Sequence, residues 1–398
     1  MFLSLGAAAE EFDLSTDEEL WPSAAYSTPT KALSENEYPD FEDDIDFENM
    51  ETVISRQIAR YKKRSLSGTI QLGDTTYSLD MTLRSLEEFL VLVRKTQNCM
   101  KSLPGKATRP VCYQMLNQEI RSRFNVYVPD LQPGDPRYGE TNTTLFTGYY
   151  TPTLKGSLTK TKDYPWAVYS LPSRSRERQK DREAIDFEGA LDGKGHELFY
   201  TNNLFEVYLL HVEGGGKVEF VSESDGSKPD DFYLSYAGTN GQSWNFISKY
   251  MIQQGMISDP SIASQRRYLE AHPERQREVY SSCPSYVYFK KSQHQPEGSD
   301  LVSLTNRRSL ATDSKLYRFK GLLTYVKTTR VDEASVGPIG SGKIRHKPFS
   351  RFFLDQDTGG AIKGKGRVDL YFGESHYAAV AASNQKATGE LFYLMLKQ

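Results

Sequence analysis

Hydrophobic and polar residues alternate over many short stretches of the chain, and this period of two predicts a mainly β fold. In the stretch 367–372, Val368 and Leu370 share one face of a predicted strand, and Asp369 lies on the other face. Aspartate is uncommon inside strands because it competes for backbone hydrogen bonds and resists burial. Asp369 therefore marks either a polar outer face of the sheet, a brace for a turn, or a carboxylate with a function.

The same alternation predicts further strands between residues 145 and 290. They cover 145–152, 166–171, 197–200, 205–212, 217–221, 232–236 and 286–289. Apolar residues at helical spacing predict helices near 50–64, 83–93, 115–124, 244–254, 261–271 and 274–281. These apolar stripes indicate a packed core and imply no chemistry.

The first 50 residues are predicted to form a disordered leader. Nine of the seventeen residues from Glu35 to Glu51 are Asp or Glu, and none is basic. A block of like charge repels itself and does not fold alone. Residues 2–9 are typical of the end of a signal peptide with a small-residue cleavage site, and no cysteine follows them that could carry a lipid anchor.

Composition narrows the class of protein. The 398 residues are enough for two domains with sizeable cores, and a net charge of −3 offers no basic surface for nucleic acid. No apolar run approaches the roughly 18 residues of a membrane span. The three cysteines and six histidines have no metal-ligand spacing, which predicts no bound metal. Cys99 and Cys112 either form a disulfide or remain reduced.

The candidate chemistry is that of carboxylates. The sequence contains no Gly-x-Ser-x-Gly elbow, no His-Glu-x-x-His pair and no recognisable Cys/His pair. Carboxyl groups suit cleavage of a glycan, because an acid must protonate the leaving oxygen and hydrolases use a second carboxylate as nucleophile or base. Asp357 and Asp369 form one such pair across a glycine-rich bend, and their spacing along the sequence leaves the mechanism open.

Six ordered motifs resemble the MltA-type membrane-bound lytic murein transglycosylases, whose 3D segment contains three aspartates. The aspartates at the matching positions are Asp313, Asp357 and Asp369. The motifs are GYYTP at 148–152, HVEGGG at 211–216, SYAGTNG at 235–241, PSYVYF at 284–289, RSLATD at 308–313 and GGAIKG at 359–364. The resemblance covers about residues 80 to 398.

The resemblance implies a fold with a double-psi β-barrel domain, an inserted second β domain and a few helices. The barrel domain is expected from residues 51–155 and 299–398, the inserted domain from 156–298, and the glycan in a groove between the two. The implied reaction cleaves peptidoglycan glycan strands without a cofactor or a metal and leaves 1,6-anhydromuramic acid ends. A monomer in the periplasm or outer envelope of a Gram-negative bacterium is expected, with other cell-wall enzymes as possible partners.

The resemblance also implies roles for individual residues. Asp369 would act first as acid and then as base, with Asp357 as its orienting neighbour. The candidate sugar contacts are Tyr149, Tyr150, Thr151, Gly214, Gly215, Gly216, Tyr236, Asn240, Lys363 and Asp313. The run 213–216 reads Glu-Gly-Gly-Gly where the family has Gln-Gly-Ser-Gly, which removes an amide and a hydroxyl. A two-carboxylate glycan hydrolase and a glycan-binding protein with a weakened site therefore remain alternatives.

Overall fold

The computed structural model describes residues 24–102, 108–132, 143–222, 226–337, 343–360 and 362–398. The chain forms two compact units, each with its own core. The barrel unit contains the described residues of 24–149, 297–373 and 380–398, and the insert unit contains those of 150–296 and 374–379. The predicted signal-peptide remnant lies outside the described residues.

Seventeen strands occur in the described parts of the chain. In chain order they are β1 (Ala24–Thr28), β2 (Thr30–Ala32), β3 (Gly68–Leu72), β4 (Thr75–Ser78), β5 (Phe124–Pro129), β6 (Thr144–Tyr149), β7 (Thr153–Ser157), β8 (Trp166–Tyr169), β9 (Glu197–Thr201), β10 (Gly215–Phe220), β11 (Phe232–Thr239), β12 (Val287–Ser292), β13 (Ser309–Ala311), β14 (Leu322–Val331), β15 (His346–Asp357), β16 (Arg367–Tyr371) and β17 (Lys386–Leu396).

Ten α-helices accompany these strands in the same described ranges. They are α1 (Met50–Tyr61), α2 (Leu79–Ser102), α3 (Thr108–Arg123), α4 (Ser175–Arg178), α5 (Arg182–Asp186), α6 (Leu204–Glu213), α7 (Ile247–Gln253), α8 (Ile262–Ala271), α9 (Gln276–Ser281) and α10 (His376–Asn384). None of them, within those ranges, combines the length and the apolar character that crossing a membrane requires.

A closed barrel of six strands forms the centre of the barrel unit, which confirms the predicted fold class. The strands follow one another as β14-β15-β13-β16-β6-β17, and β17 pairs back onto β14 to close the ring. The pairs β13–β15 and β16–β6 are parallel, while the other four pairs are antiparallel. This mixture is consistent with the double-psi arrangement that the resemblance implies.

The strands of the barrel are rich in β-branched and aromatic residues, which favour a pleated and buried surface. The last strand, β17, is long enough to change partners: its first residues pair with β6, and its last residues pair with β5. Helices α1 and α2 pack beside the barrel, and a disulfide between Cys99 and Cys112 joins α2 to α3 with their Cα atoms 5.8 Å apart. Of the two states predicted for these cysteines, the structure has the disulfide.

Residues 24–50 are structured, so the prediction of a disordered leader through residue 50 was wrong for this segment. Strand β2 pairs with β5, and Asp43 is fully buried in a two-hydrogen-bond ion pair with Arg308. Asp44 pairs with Arg330 and Arg351 in the same way. The acidic run folds because arginines from distant parts of the chain neutralise it, and a local count of charge does not contain those partners.

The insert unit contains a six-stranded sheet in the order β12-β11-β10-β7-β9-β8. A bridge between Ser170 and Phe289 links the two ends of this sheet. The stretch 205–212, predicted as a strand, is instead helix α6, whose residues from Leu204 to Val212 are buried with the exception of Glu206. A helix that is apolar on every side lacks the polar stripe that gives a helical period, so the apolar run was misread.

Candidate active site

Four neighbouring strands of the barrel place two aspartates in one row. Ala311 on β13 is in register with Asp357 on β15 and with Asp369 on β16, and Asp369 is in register with Thr147 on β6. Residues that lie opposite each other on regularly paired strands project from the same face of a sheet, which applies to Thr147, Asp369 and Ala311. The register between β13 and β15 shifts at Ala311, and a hydrogen bond from the Tyr149 hydroxyl brings Asp357 to the same face. Two strand spacings separate the Cα atoms of the aspartates by about 10 Å, and only the methyl group of Ala311 lies between them in the row.

Asp369 is fully buried, and its two carboxylate oxygens differ. Oδ1 accepts hydrogen bonds from the Thr147 hydroxyl and from Nη1 of Arg367. Oδ2 has no partner among the described residues, and neither has Nη2 of Arg367, which is itself only 3% exposed. A buried carboxylate is tolerated only with a compensating charge and hydrogen bonds, and Arg367 supplies the charge.

Asp357 is partly buried and lies at the end of β15. Its Oδ1 accepts hydrogen bonds from the backbone N–H groups of Ser299 at 3.0 Å and Thr358 at 2.8 Å, and its Oδ2 accepts one from the Tyr149 hydroxyl at 3.1 Å. Burial raises the pKa of Asp357 to about 6, although these three donors favour the charged form. The Tyr149 ring lies 5.1 Å from that of Tyr371, on the face that carries Asp369.

Replacing Asp357 with Asn is expected to stabilise the protein at pH 8 and to have little effect at pH 4. A pKa raised above the unfolded value of about 3.9 contributes stability below that value, and the contribution is lost as the pH rises through about 6. Asparagine does not ionise, so the variant avoids the cost of burying a charge at pH 8. Melting temperatures of both proteins at pH 4 and pH 8 test this, and an equal difference at both values would contradict it.

The third aspartate of the 3D segment holds the glycine-rich loop in place. The Asp313 carboxylate accepts hydrogen bonds from the N–H groups of Gly364 at 2.8 Å and Lys315 at 3.0 Å, and its side chain is buried. Lys363, next to Gly364, is exposed to solvent. Asp313 thus has a structural role in this arrangement, whereas Lys363 is free to meet a ligand from solvent.

The three glycines at 214–216 belong to the insert unit and have structural reasons to be glycine. Gly214 ends helix α6 with a φ of 73°, a left-handed conformation that glycine adopts without strain. A Cβ atom at Gly215 would lie 2.9 Å from the carbonyl oxygen of Leu234, and one at Gly216 would lie 2.5 Å from a methyl group of Leu210. The left-handed conformation of Gly214 and the tight packing at Gly215 and Gly216 therefore give structural reasons for glycine at all three positions, and a contact with sugar stays a prediction.

The other candidates in the insert unit differ in how accessible they are. Asn240 is buried and fully used: its amide donates to the carbonyls of Lys180 and Pro284, both at 2.9 Å, and its Oδ1 accepts from the Tyr286 N–H at 2.9 Å. Tyr150 and Thr151 are also buried. Tyr236, at a bulge of β11, is 38% exposed, so its ring is the one aromatic surface among these four that can stack on a sugar.

Arg367 and Thr147 contact Asp369 directly and were not among the predicted site residues. The strand period of two places Arg367 on the same face as Asp369, so this signal was present in the sequence. No sequence signal pairs Thr147 with Asp369, because that contact depends on the register of β6 against β16. Within the described ranges, no group of three or more His, Cys, Asp or Glu side chains has the geometry of a metal site.

Comparison with known protein families gives two matches. Residues 145–290 match the MltA specific insert domain, and residues 308–395 match the 3D domain. The chain is 33% identical over 244 residues to the membrane-bound lytic murein transglycosylase A of Escherichia coli strain K12, a match that covers 60% of this chain and 61% of that protein. It is 28% identical over 306 residues to the protein of the same name from Vibrio cholerae serotype O1, covering 74% and 77%.

Solved structures share the fold. Escherichia coli MltA with bound chitohexaose superimposes with a TM-score of 0.65 at 22% identity, over 94% of this chain and 96% of that one. A membrane-bound lytic murein transglycosylase from Agrobacterium tumefaciens superimposes with a TM-score of 0.64 at 20% identity, over 92% and 97%. These likenesses extend the agreement in fold to nearly the whole chain.

Proposed function

We propose that the chain is an MltA-type lytic murein transglycosylase of a Gram-negative envelope. It cleaves the β-1,4 bond between N-acetylmuramic acid and N-acetylglucosamine in peptidoglycan. The relatives are named membrane-bound, and the protein acts in the periplasm or at the outer membrane.

One observation carries this proposal: Asp369 is a fully buried carboxylate whose Oδ2 has no partner in the described structure, in the same strand row as Asp357. A buried acceptor left unpaired costs about 1–3 kcal/mol, and such costs are kept where a function uses the atom. A proton or a hydroxyl group of the glycan supplies the missing partner.

The reaction uses a single carboxyl group twice. Protonated Asp369 gives its proton to the glycosidic oxygen, the bond from that oxygen to C1 of the muramyl residue breaks, and the N-acetylglucosamine leaves with a free 4-hydroxyl. The muramyl 6-hydroxyl then bonds to C1 and passes its proton to Asp369, which restores the starting state. No water or cofactor is consumed, because an intramolecular hydroxyl has an effective molarity of roughly 10⁵–10⁸ M.

A two-carboxylate hydrolase is the second candidate, and the state of Asp357 is the observation in its favour. The pKa of Asp357 is raised to about 6, whereas the carboxylate of Asp369 is ion-paired with Arg367. Two carboxyl groups in such different environments can divide the acid and base roles between them. In that mechanism Asp357 protonates the leaving oxygen and Asp369 activates a water molecule or attacks C1.

Mass spectrometry of digested peptidoglycan separates the two candidates. The transglycosylase is expected to release glycan ends in the 1,6-anhydro form, which are lighter by one water molecule than the reducing ends of a hydrolase. Purified sacculi are incubated with the protein, and the soluble muropeptides are weighed without chemical reduction. Reducing ends alone would reject the transglycosylase in favour of the hydrolase, and no release of glycan would reject both.

A further inference from the structure

We propose that Arg367 is a positioning residue that holds Asp369 by one oxygen, Oδ1, and leaves the other, Oδ2, to exchange the proton with the glycan. This inference rests on the proposed transglycosylase reaction. The two oxygens of one carboxyl group then have different roles, and the Thr147 hydroxyl helps Arg367 to hold Oδ1.

The hydrogen bonds of Asp369 divide between its two oxygens in this way. Nη1 of Arg367 and the hydroxyl of Thr147 both donate to Oδ1, and Nη1 also donates to the carbonyl oxygen of Val368 at 2.9 Å. Oδ2 and Nη2 of Arg367 have no partner among the described residues, although both side chains are more than nine-tenths buried. Oδ1 is therefore the anchored oxygen, and Oδ2 is the open one.

The two donors on Oδ1 also decide where a proton binds. A carboxyl proton on Oδ1 would face both donors, so the protonated form carries its hydrogen on Oδ2 and keeps Oδ1 as an acceptor. In the second half of the reaction, the carboxylate that remains is stabilised by the charge of Arg367 while Oδ2 takes the proton of the muramyl 6-hydroxyl. The same contacts serve both halves without rearrangement.

Arg367 is the cation that contacts Asp369, and other polar residues lie on the same strand and on the strands around it. On β6, Thr147 is neutral and Tyr149 donates to Asp357, while Asp357 lies two strands away on β15. Lys386 on β17 is in register with Thr147 and is exposed to solvent, and Tyr371 lies two residues beyond Asp369 on its own strand. Removing the Arg367 charge therefore removes the one direct counter-charge on Asp369 in the described structure.

The test compares the pH dependence of anhydro-end formation in matched variants. Arg367→Gln removes the positive charge, Arg367→Lys keeps the charge but lacks the planar guanidinium group, and Thr147→Val removes only a hydrogen bond. Because Arg367→Gln removes the one direct counter-charge on the carboxyl group that exchanges the proton, the basic limb of its rate profile is expected to move to higher pH. Arg367→Lys and Thr147→Val are expected to keep the basic limb near its wild-type position and to lower the rate roughly tenfold. These substitutions change the orientation of the Asp369 carboxyl group and leave the positive charge beside it.

The exposed Arg318 provides the control, because Arg318→Gln removes a surface charge of the same unit and is expected to change neither rate nor profile. If Arg367→Gln has the wild-type profile and rate, the inference is overturned while the proposed reaction stands. If Arg367→Gln does not fold, wild-type rates in both Arg367→Lys and Thr147→Val overturn it. If the wild-type protein itself forms no anhydro ends, the proposed function has failed, and the inference falls with it.

Discussion

Replacing Asp369 with Asn is expected to lower the rate of glycan cleavage by about 10²–10⁴-fold, because general acid–base catalysis contributes an effect of that size. Asparagine has nearly the same shape as aspartate and retains an oxygen for the Thr147 hydroxyl, but it neither donates nor takes up a proton at the required pH. The measurement is the initial rate of release of muropeptides from purified sacculi, with the products weighed as before.

The same substitution also leaves Arg367 buried without its counter-charge, and a broken buried ion pair costs about 3–5 kcal/mol. A loss of activity could then reflect a damaged fold. The double variant Asp369→Asn with Arg367→Gln removes both charges, so it is expected to regain stability and to remain inactive. A double variant that regains both stability and lysis, or a folded single variant with more than a tenth of wild-type activity, would remove Asp369 from the chemistry.

Part of the barrel unit was predicted from local patterns in the sequence, namely strands β6 and β16 and helices α1, α2 and α3, whereas the barrel strands β13, β14, β15 and β17 were not predicted. Strand β16 was predicted at its observed position from an alternation of six residues, and the apolar stripe of α2 was equally clear. The unusual aspartate in β16 pointed to the row where Asp369 lies. The local pattern does not contain the register between strands. The position of Asp357 on the far side of Ala311 and the contact of Thr147 with Asp369 depend on that register and were therefore not predicted.

Helix α6 illustrates a prediction that failed for a different reason. The sequence contains both ends of the helix: Asn203 caps it by accepting from the N–H groups of Phe205 and Glu206, and Gly214 closes it in a left-handed conformation. These signals were outweighed by the even hydrophobicity of the residues between them. The three glycines are candidate sugar contacts by resemblance, and this stays a prediction; the conformation of Gly214 and the packing around Gly215 and Gly216 give structural reasons for glycine at these positions.

The acidic segment 40–48 contributes to the stability of the barrel unit through one buried carboxylate. Asp43 accepts hydrogen bonds from Nη1 of Arg308 at 2.6 Å and Nη2 at 3.0 Å, and from the Phe47 N–H at 3.1 Å. Burial opposes its charge, but Arg308 reverses the balance, so the pKa of Asp43 lies below its ordinary value. A lowered pKa contributes stability above the unfolded value of about 3.9, and this is lost as the pH falls through the folded pKa.

Replacing Asp43 with Asn is therefore expected to lower the free energy of unfolding at pH 7 by about 3–5 kcal/mol, because Arg308 stays buried without a counter-charge. Urea unfolding followed by circular dichroism measures the change, and the difference from wild type should shrink as the pH falls through the lowered pKa of Asp43, where the folded wild-type protein also takes up a proton.

Asp40 is the matched control in the same acidic run. Its side chain is 96% exposed and lies 3.5 Å from Arg121, so Asp40→Asn is expected to change stability by less than about 0.5 kcal/mol. If Asp43→Asn were as mild as Asp40→Asn, the segment would be a solvated leader after all, as its charge alone suggests. A large difference between two aspartates three residues apart would instead establish that a distant arginine folds this segment, since the local charge at the two positions is the same.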